Sequence, residues 1–154
     1  MRRKLVLVLV FSLLFSFSLS ISLDQTKVTA LNDYPVHNLN TSLNYTTIQG
    51  AIDANETLDG HTIFVEEGTY YEHVTVNKSL SLIGENRSAT IIDGNYSGNP
   101  VTIVASHVNI TSFTVQGAWY GIWYVFNGFG IYVAEGTSYN NISHNIITNN
   151  LLLG

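Results

Sequence analysis

Two carboxylates held about 5–9.5 Å apart across a sugar are what glycoside hydrolysis needs. Glu66, Glu67, Glu72 and Asp93 are the acids that fall on successive early strand-like segments. Glu66 and Glu67 are neighbours, so a strand sends them to opposite faces and they make a poor pair; as exposed turn acids they need no catalytic role. β-Elimination of uronates wants a basic group and usually calcium, and Lys78 and Arg87 alone are a thin supply. His37, His61, His73, His107 and His144 show no H-x-H or H-E-x-x-H spacing, so no metal site is expected. Cysteine is absent, which removes disulfides, CxxC redox sites and thiolate-bound zinc or iron–sulfur clusters. With no G-x-S-x-G elbow and no phosphate-cradling loop either, no catalytic residue is assigned and no cofactor is expected.

Two other residue groups could act at a surface. Trp119, Tyr120, Trp123 and Tyr124 open an aromatic run that holds both tryptophans of the chain and is broken by glycines. Such rings either stack on sugars or pack one irregular turn. The second group is Asn-x-Ser/Thr, at Asn40, Asn44, Asn55, Asn77, Asn86, Asn95, Asn109 and Asn141. Chance pairing at these frequencies would give roughly three such sites. The excess marks either glycan acceptors on exposed turns or an abundance of turn-forming residues. Asn109 is the weakest acceptor, because it lies between strand-like segments.

The chain that carries these groups has 154 residues, 45% of them hydrophobic and 11% charged. Its net charge of -5 argues against a nucleic-acid partner. Met1-Arg2-Arg3-Lys4, the apolar run from Leu5 and the serines at 18, 20 and 22 have the layout of a secretory signal. Residues 1–22 are therefore read as a signal peptide, or as an N-terminal membrane anchor if uncleaved. Either way the remainder is expected to be exported, to the medium or the cell surface. It keeps three bases against all eleven acids, so it is more acidic than the total.

Residues 23–44 lack periodicity and read as a linker, and 45–154 as the folded part. Ile48, Ala51 and Ile52 share one face of a short helix, with Thr46 and Gln49 spaced as a capping box. From His61 onward the period is two, in bursts at 62–65, 74–76, 80–83, 90–92, 101–104, 108–110 and 113–115. Comparable bursts recur every 18–24 residues or so, at Ile63, Leu82, Ile103 and then Ile122 or Ile131. Short strands at a near-fixed period, without hairpin turns, predict an all-β solenoid whose inward Val, Ile and Leu form stacked columns. Asparagines alternating with isoleucines over 138–150 suit corners bonded from turn to turn.

These residues resemble the right-handed parallel β-helix proteins of the pectin-lyase-like superfamily, and in particular NosD-type repeats. Thr47-Ile48-Gln49-Gly50-Ala51-Ile52, the segment Thr62 to Glu72, and Val74 to Gly84 carry the likeness. It implies a right-handed parallel β-helix over 45–154, with the helix as an N-terminal cap. Gly68-Thr69-Tyr70-Tyr71-Glu72 also matches the G-x-Y-x-E segment of pectin methylesterases, but the Q-D and D-F-I-F-G motifs of that family are missing. The expected function is a non-enzymatic secreted or cell-surface module, acting as a scaffold or a carbohydrate-binding surface. The alternative is the N-terminal portion of a carbohydrate-active enzyme, an esterase, lyase or hydrolase, with catalytic turns beyond residue 154. The last residues also predict an incomplete coil whose open C-terminal end takes further turns or self-associates, with polysaccharide or surface glycan as the other partner.

Overall fold

The computed structural model describes residues 34–120 and 128–152. The expected signal segment and the first part of the linker lie outside them. The described chain opens with β1 (Val36–Asn38), β2 (Leu43–Tyr45) and the helix α1 (Ile48–Asp53). Three strands then form each of the first two turns, namely β3 (Thr62–Val65), β4 (Gly68–Tyr70) and β5 (Val74–Val76), followed by β6 (Ser81–Gly84), β7 (Thr90–Asp93) and β8 (Val101–Ile103). The third turn holds β9 (Asn109–Thr111), β10 (Thr114–Gln116), β11 (Trp119–Tyr120) and β12 (Ile131–Val133). A fourth begins with β13 (Asn141–Ser143), β14 (Ile146–Ile147) and β15 (Leu151–Leu152).

From β3 onward each strand pairs in parallel with its counterpart one turn away. The first sheet runs β13-β9-β6-β3, the second β14-β10-β7-β4 and the third β12-β8-β5, with β11 beside β15. Alternation decides what points inward: in β3, Ile63 and Val65 are buried while Thr62 and Phe64 are half-exposed. Ile63, Leu82, Ile110 and Ile142 stand in one column, and Tyr70, Ile92, Val115 and Ile147 in a second. Val76, Ile103 and Val133 make a third. The chain is the parallel β-helix that its periodicity predicts.

Three expectations need correction. Ile103 belongs to the third column rather than to that of Ile63 and Leu82, and Ile131 also lies in the third sheet, opposite Val101. The turns have unequal corners, so a burst count along the chain mixes sheets (Ile122 lies outside the described residues). Residues 36–44, read as linker, join Tyr45 in a hairpin in which β1 pairs antiparallel with both β2 and β3. Asn38 there is buried; its amide donates to the Thr57 hydroxyl at 2.8 Å and its oxygen accepts from the Asn40 N–H at 3.0 Å. Finally, the cap of α1 is Thr47, one residue after the expected Thr46. Its hydroxyl accepts from the Gly50 N–H at 3.1 Å. A Cβ on Gly50 would sit 2.6 Å from that oxygen, which explains a glycine inside so short a helix.

In the third and fourth turns the corners are made by single residues in the left-handed region. His107, Ser112 and Gly117 take φ of 57°, 67° and 75° in the third turn; Tyr139, His144 and Asn149 take 59°, 57° and 51° in the fourth. The residue after each of these turns toward the coil. In the third turn these are Val108, Phe113 and Ala118, all buried. In the fourth they are Asn140, Asn145 and Asn150, whose side-chain oxygens accept the backbone N–H of Val108, Phe113 and Ala118, 32 residues back, at 2.9 Å each. The turn-to-turn asparagine bonding expected from the sequence is present, made by the residues that follow the left-handed positions.

Candidate functional site: the capped end and the coil exterior

The helix is docked onto the first turn by three polar side chains. Glu72 closes the Gly68–Glu72 motif and places its two oxygens 3.0 and 2.9 Å from the N–H groups of Ile48 and Gln49. These are free first-turn donors of α1, and a carboxylate there also complements the positive helix end. With Thr47 as the cap, Gln49 is one residue short of the capping-box position. Its side-chain amide instead pairs with the peptide groups of Thr75, accepting from the N–H at 2.7 Å and donating to the carbonyl at 3.2 Å. Gln49 thus completes the edge of β5 as a neighbouring strand would. At the other end of the helix, the Lys78 ammonium donates to the carbonyls of Ile52, Ala54 and Thr57 at 2.8, 2.9 and 2.8 Å. Tyr70 of the same motif is buried, with its hydroxyl donating to the Glu66 carbonyl at 2.9 Å.

Most other carboxylates are also spent on the coil. Glu66 meets His37 at 2.8 Å; its neighbour Glu67 turns away to accept from the Asn86 amide at 3.0 Å. Glu85 accepts from the Glu67 N–H, and Asp59 from the Ser79 N–H. Asp93 accepts from the Asn95 N–H at 2.8 Å and the Gln116 amide at 2.7 Å. A cleft of about 330 Å³ opens beside Glu66, Glu67 and Tyr70. The histidines stay apart: His73 bonds the Asn99 carbonyl, His107 stacks on Tyr139, and His144 is a corner residue. Among the described residues no group of His, Cys, Asp and Glu could hold a metal ion.

His37 is held at both ring nitrogens, with Nδ1 2.7 Å from the Asn44 oxygen and Nε2 2.8 Å from Glu66. The Asn44 hydrogen bond raises its pKa above the ordinary imidazole value, burial opposes this, and the Glu66 hydrogen bond and charge add to the rise. A raised folded-state pKa means that this contribution is full below the unfolded pKa and is lost as pH rises through the folded one. Amides of the β1–β2 hairpin should therefore exchange more slowly at about pH 6 than at about pH 8, after correction for intrinsic rates. The His37→Gln variant should lose that difference, as read by hydrogen-exchange mass spectrometry.

The surface residues singled out by type are placed as follows. Trp119, half-buried, and Tyr120 form β11; Trp123 and Tyr124 lie outside the described residues. Nearby, Phe129 and Tyr132 are exposed and stacked with ring centres 5.8 Å apart. Asn40, Asn44, Asn55, Asn77, Asn86, Asn95 and Asn141 are exposed; Asn109 is half-buried in β9. Sequence reasoning missed the joint docking role of Gln49, Glu72 and Lys78. Its only trace was a lysine in a segment otherwise almost without bases.

Stacked parallel turns closed by a helix define a parallel β-helix as the class of this fold. No family model matches the chain. Over 105 residues it is 42% identical to a cell surface glycoprotein of Methanothermus fervidus, a stretch covering 68% of this chain. The chain spans only 17% of the length of that curated relative. Among solved structures it is similar to a pectin methylesterase in complex with a hexasaccharide, with a TM-score of 0.51 and 18% sequence identity. That likeness covers 71% of this chain and 43% of the esterase, and it is a likeness of fold.

Proposed function

We propose that the chain is a non-enzymatic β-helix module of an exported cell-surface protein, a scaffold whose outer face carries glycan. The observation that carries this reading is the use made of the carboxylates. Glu66, Glu67, Glu72, Glu85 and Asp93 each hold a hydrogen bond that fixes one segment of the coil to another. A general acid or base must be free to exchange a proton with substrate. The name of the Methanothermus fervidus relative supports the surface location, and the basic and apolar first segment supports export. Ile142, Ile147 and Val133 are inward by register yet exposed, which supports further β-helix turns as the partner on that side.

The stacked, exposed Phe129 and Tyr132 favour a second reading, a carbohydrate-binding face beside the aromatic run. One pair of measurements separates these readings from the enzyme. Incubated with methyl-esterified and free polyuronates, the exported chain should release neither methanol nor unsaturated or reducing ends. Turnover abolished by Glu66→Gln or Asp93→Asn would overturn the scaffold. Retention on immobilised polysaccharide without turnover would establish the binding face.

A further inference from the structure

Among the exposed sequons of the described residues, those of the β1–β2 hairpin are the ones held by the amide oxygen alone, a pattern shared by the half-buried Asn109. An N-glycan replaces one hydrogen on Nδ2 and leaves Oδ1 free to accept. Asn40 is fixed through Oδ1, which accepts from the Thr62 N–H at 2.8 Å, and Asn44 through Oδ1, which lies 2.7 Å from His37. Both residues are exposed, and neither Nδ2 has a partner among the described residues. Each amide is therefore oriented by its oxygen, with its nitrogen left for substitution. Asn141 is the opposite case. Its Nδ2 uses both hydrogens, on Asn109 Oδ1 at 2.8 Å and on Ser143 Oγ at 3.4 Å, so a glycan there would displace one of these bonds.

The hairpin also has a surface that needs cover. β2 pairs with β1 alone among the described residues and so forms the edge of the first sheet. Leu39 and Leu43, beside Asn40 and Asn44, are 59% and 42% exposed. A free strand edge with apolar side chains is a template for pairing with another chain, and a bulky hydrated group on it blocks that approach. We propose that Asn40 and Asn44 are N-glycosylated and that their glycans guard the β2 edge, a proposal that rests on the exported-glycoprotein reading above.

The full chain, secreted from a host that modifies Asn-x-Ser/Thr, can be mapped by glycan release in heavy-oxygen water and peptide mass spectrometry. Asn40 and Asn44 should be occupied in most secreted molecules, and Asn109 and Asn141 in few. Glycans elsewhere with Asn40 and Asn44 bare, or equal occupancy of all sites, would overturn the proposal and leave export standing. A secreted chain without any glycan would overturn both. The variant S42A/T46A removes both sequons while keeping the Asn40 and Asn44 side chains and their bonds. It should gain larger species by light scattering at concentrations where the parent and a control S97A variant, which removes the Asn95 sequon, do not. Equal association of all three would show that the glycans do not guard the edge.

Discussion

Lys78→Met is expected to cost the capped end about 3 kcal/mol, although it leaves every apolar contact of the columns in place. Three carbonyls at the exit of α1, those of Ile52, Ala54 and Thr57, share the one ammonium. A hydrogen bond to a charged group contributes about 1.5–3 kcal/mol, and partial access of water to this half-buried lysine reduces the sum of three. Methionine matches the length of the stem and keeps its packing, so what is lost is the set of bonds. A solenoid's stability is a sum of terms between neighbouring turns, so the damage should stay local. Exchange should rise first in α1 and the β1–β2 hairpin, while β9 and β10 keep their protection. Uniform loss of protection along the coil would show that Lys78 does not act as a cap anchor. Ile48, Ala51 and Ile52 cover the first turn of the core. Opening of the helix should thus also be visible as increased binding of a hydrophobic dye.

Phe113→Ala should cost about 4 kcal/mol and act away from the cap, where the third turn meets the fourth. Phe113 is the largest fully buried side chain among the described residues and sits at the corner between β9 and β10. Both of its backbone polar groups are committed to the fourth turn. The N–H donates to Asn145 Oδ1 at 2.9 Å and the carbonyl accepts from the Ile146 N–H at 2.8 Å. The neighbouring chain cannot easily collapse into the space the ring leaves, so the cavity term is added to the transfer term. The corner is tight on its other side as well. A Cβ added to Gly84 in the preceding turn would run into the Ser112 carbonyl. Urea unfolding should show a lower midpoint for Phe113→Ala, with Phe113→Leu falling between it and the parent. An alanine variant with an unchanged midpoint would mean that this corner does not couple the third and fourth turns.

Much of the architecture could be read from residue order. Val74-Thr75-Val76 and Val101-Thr102-Ile103 alternate so cleanly that strand, inward face and outward face all follow. The asparagines of 138–150 carried their turn-to-turn role in their spacing, because a corner needs a residue that tolerates the left-handed region beside one that can bond a backbone group. The hairpin of 36–45 was not legible. Its strands are three residues long, and β1 becomes a strand only because β3 offers it an edge. Glu72 could be seen as an acid of a recurring motif, but its two partners lie 24 and 23 residues earlier, and nothing local points to them.

Residue order alone is enough for the fold class, the strand segments and the positions of the sequons. These depend on alternation and on tripeptides, which are properties of a few adjacent residues. Which residues stack, what each carboxylate holds and which asparagine nitrogens stay free are settled by the folded coil. Corner lengths vary from turn to turn, so Ile103 meets Val76 rather than Leu82, and Lys78 meets the end of a helix more than twenty residues behind it. Such pairings exist only once the turns lie on one another, because the geometry that selects them is the sum of every corner before.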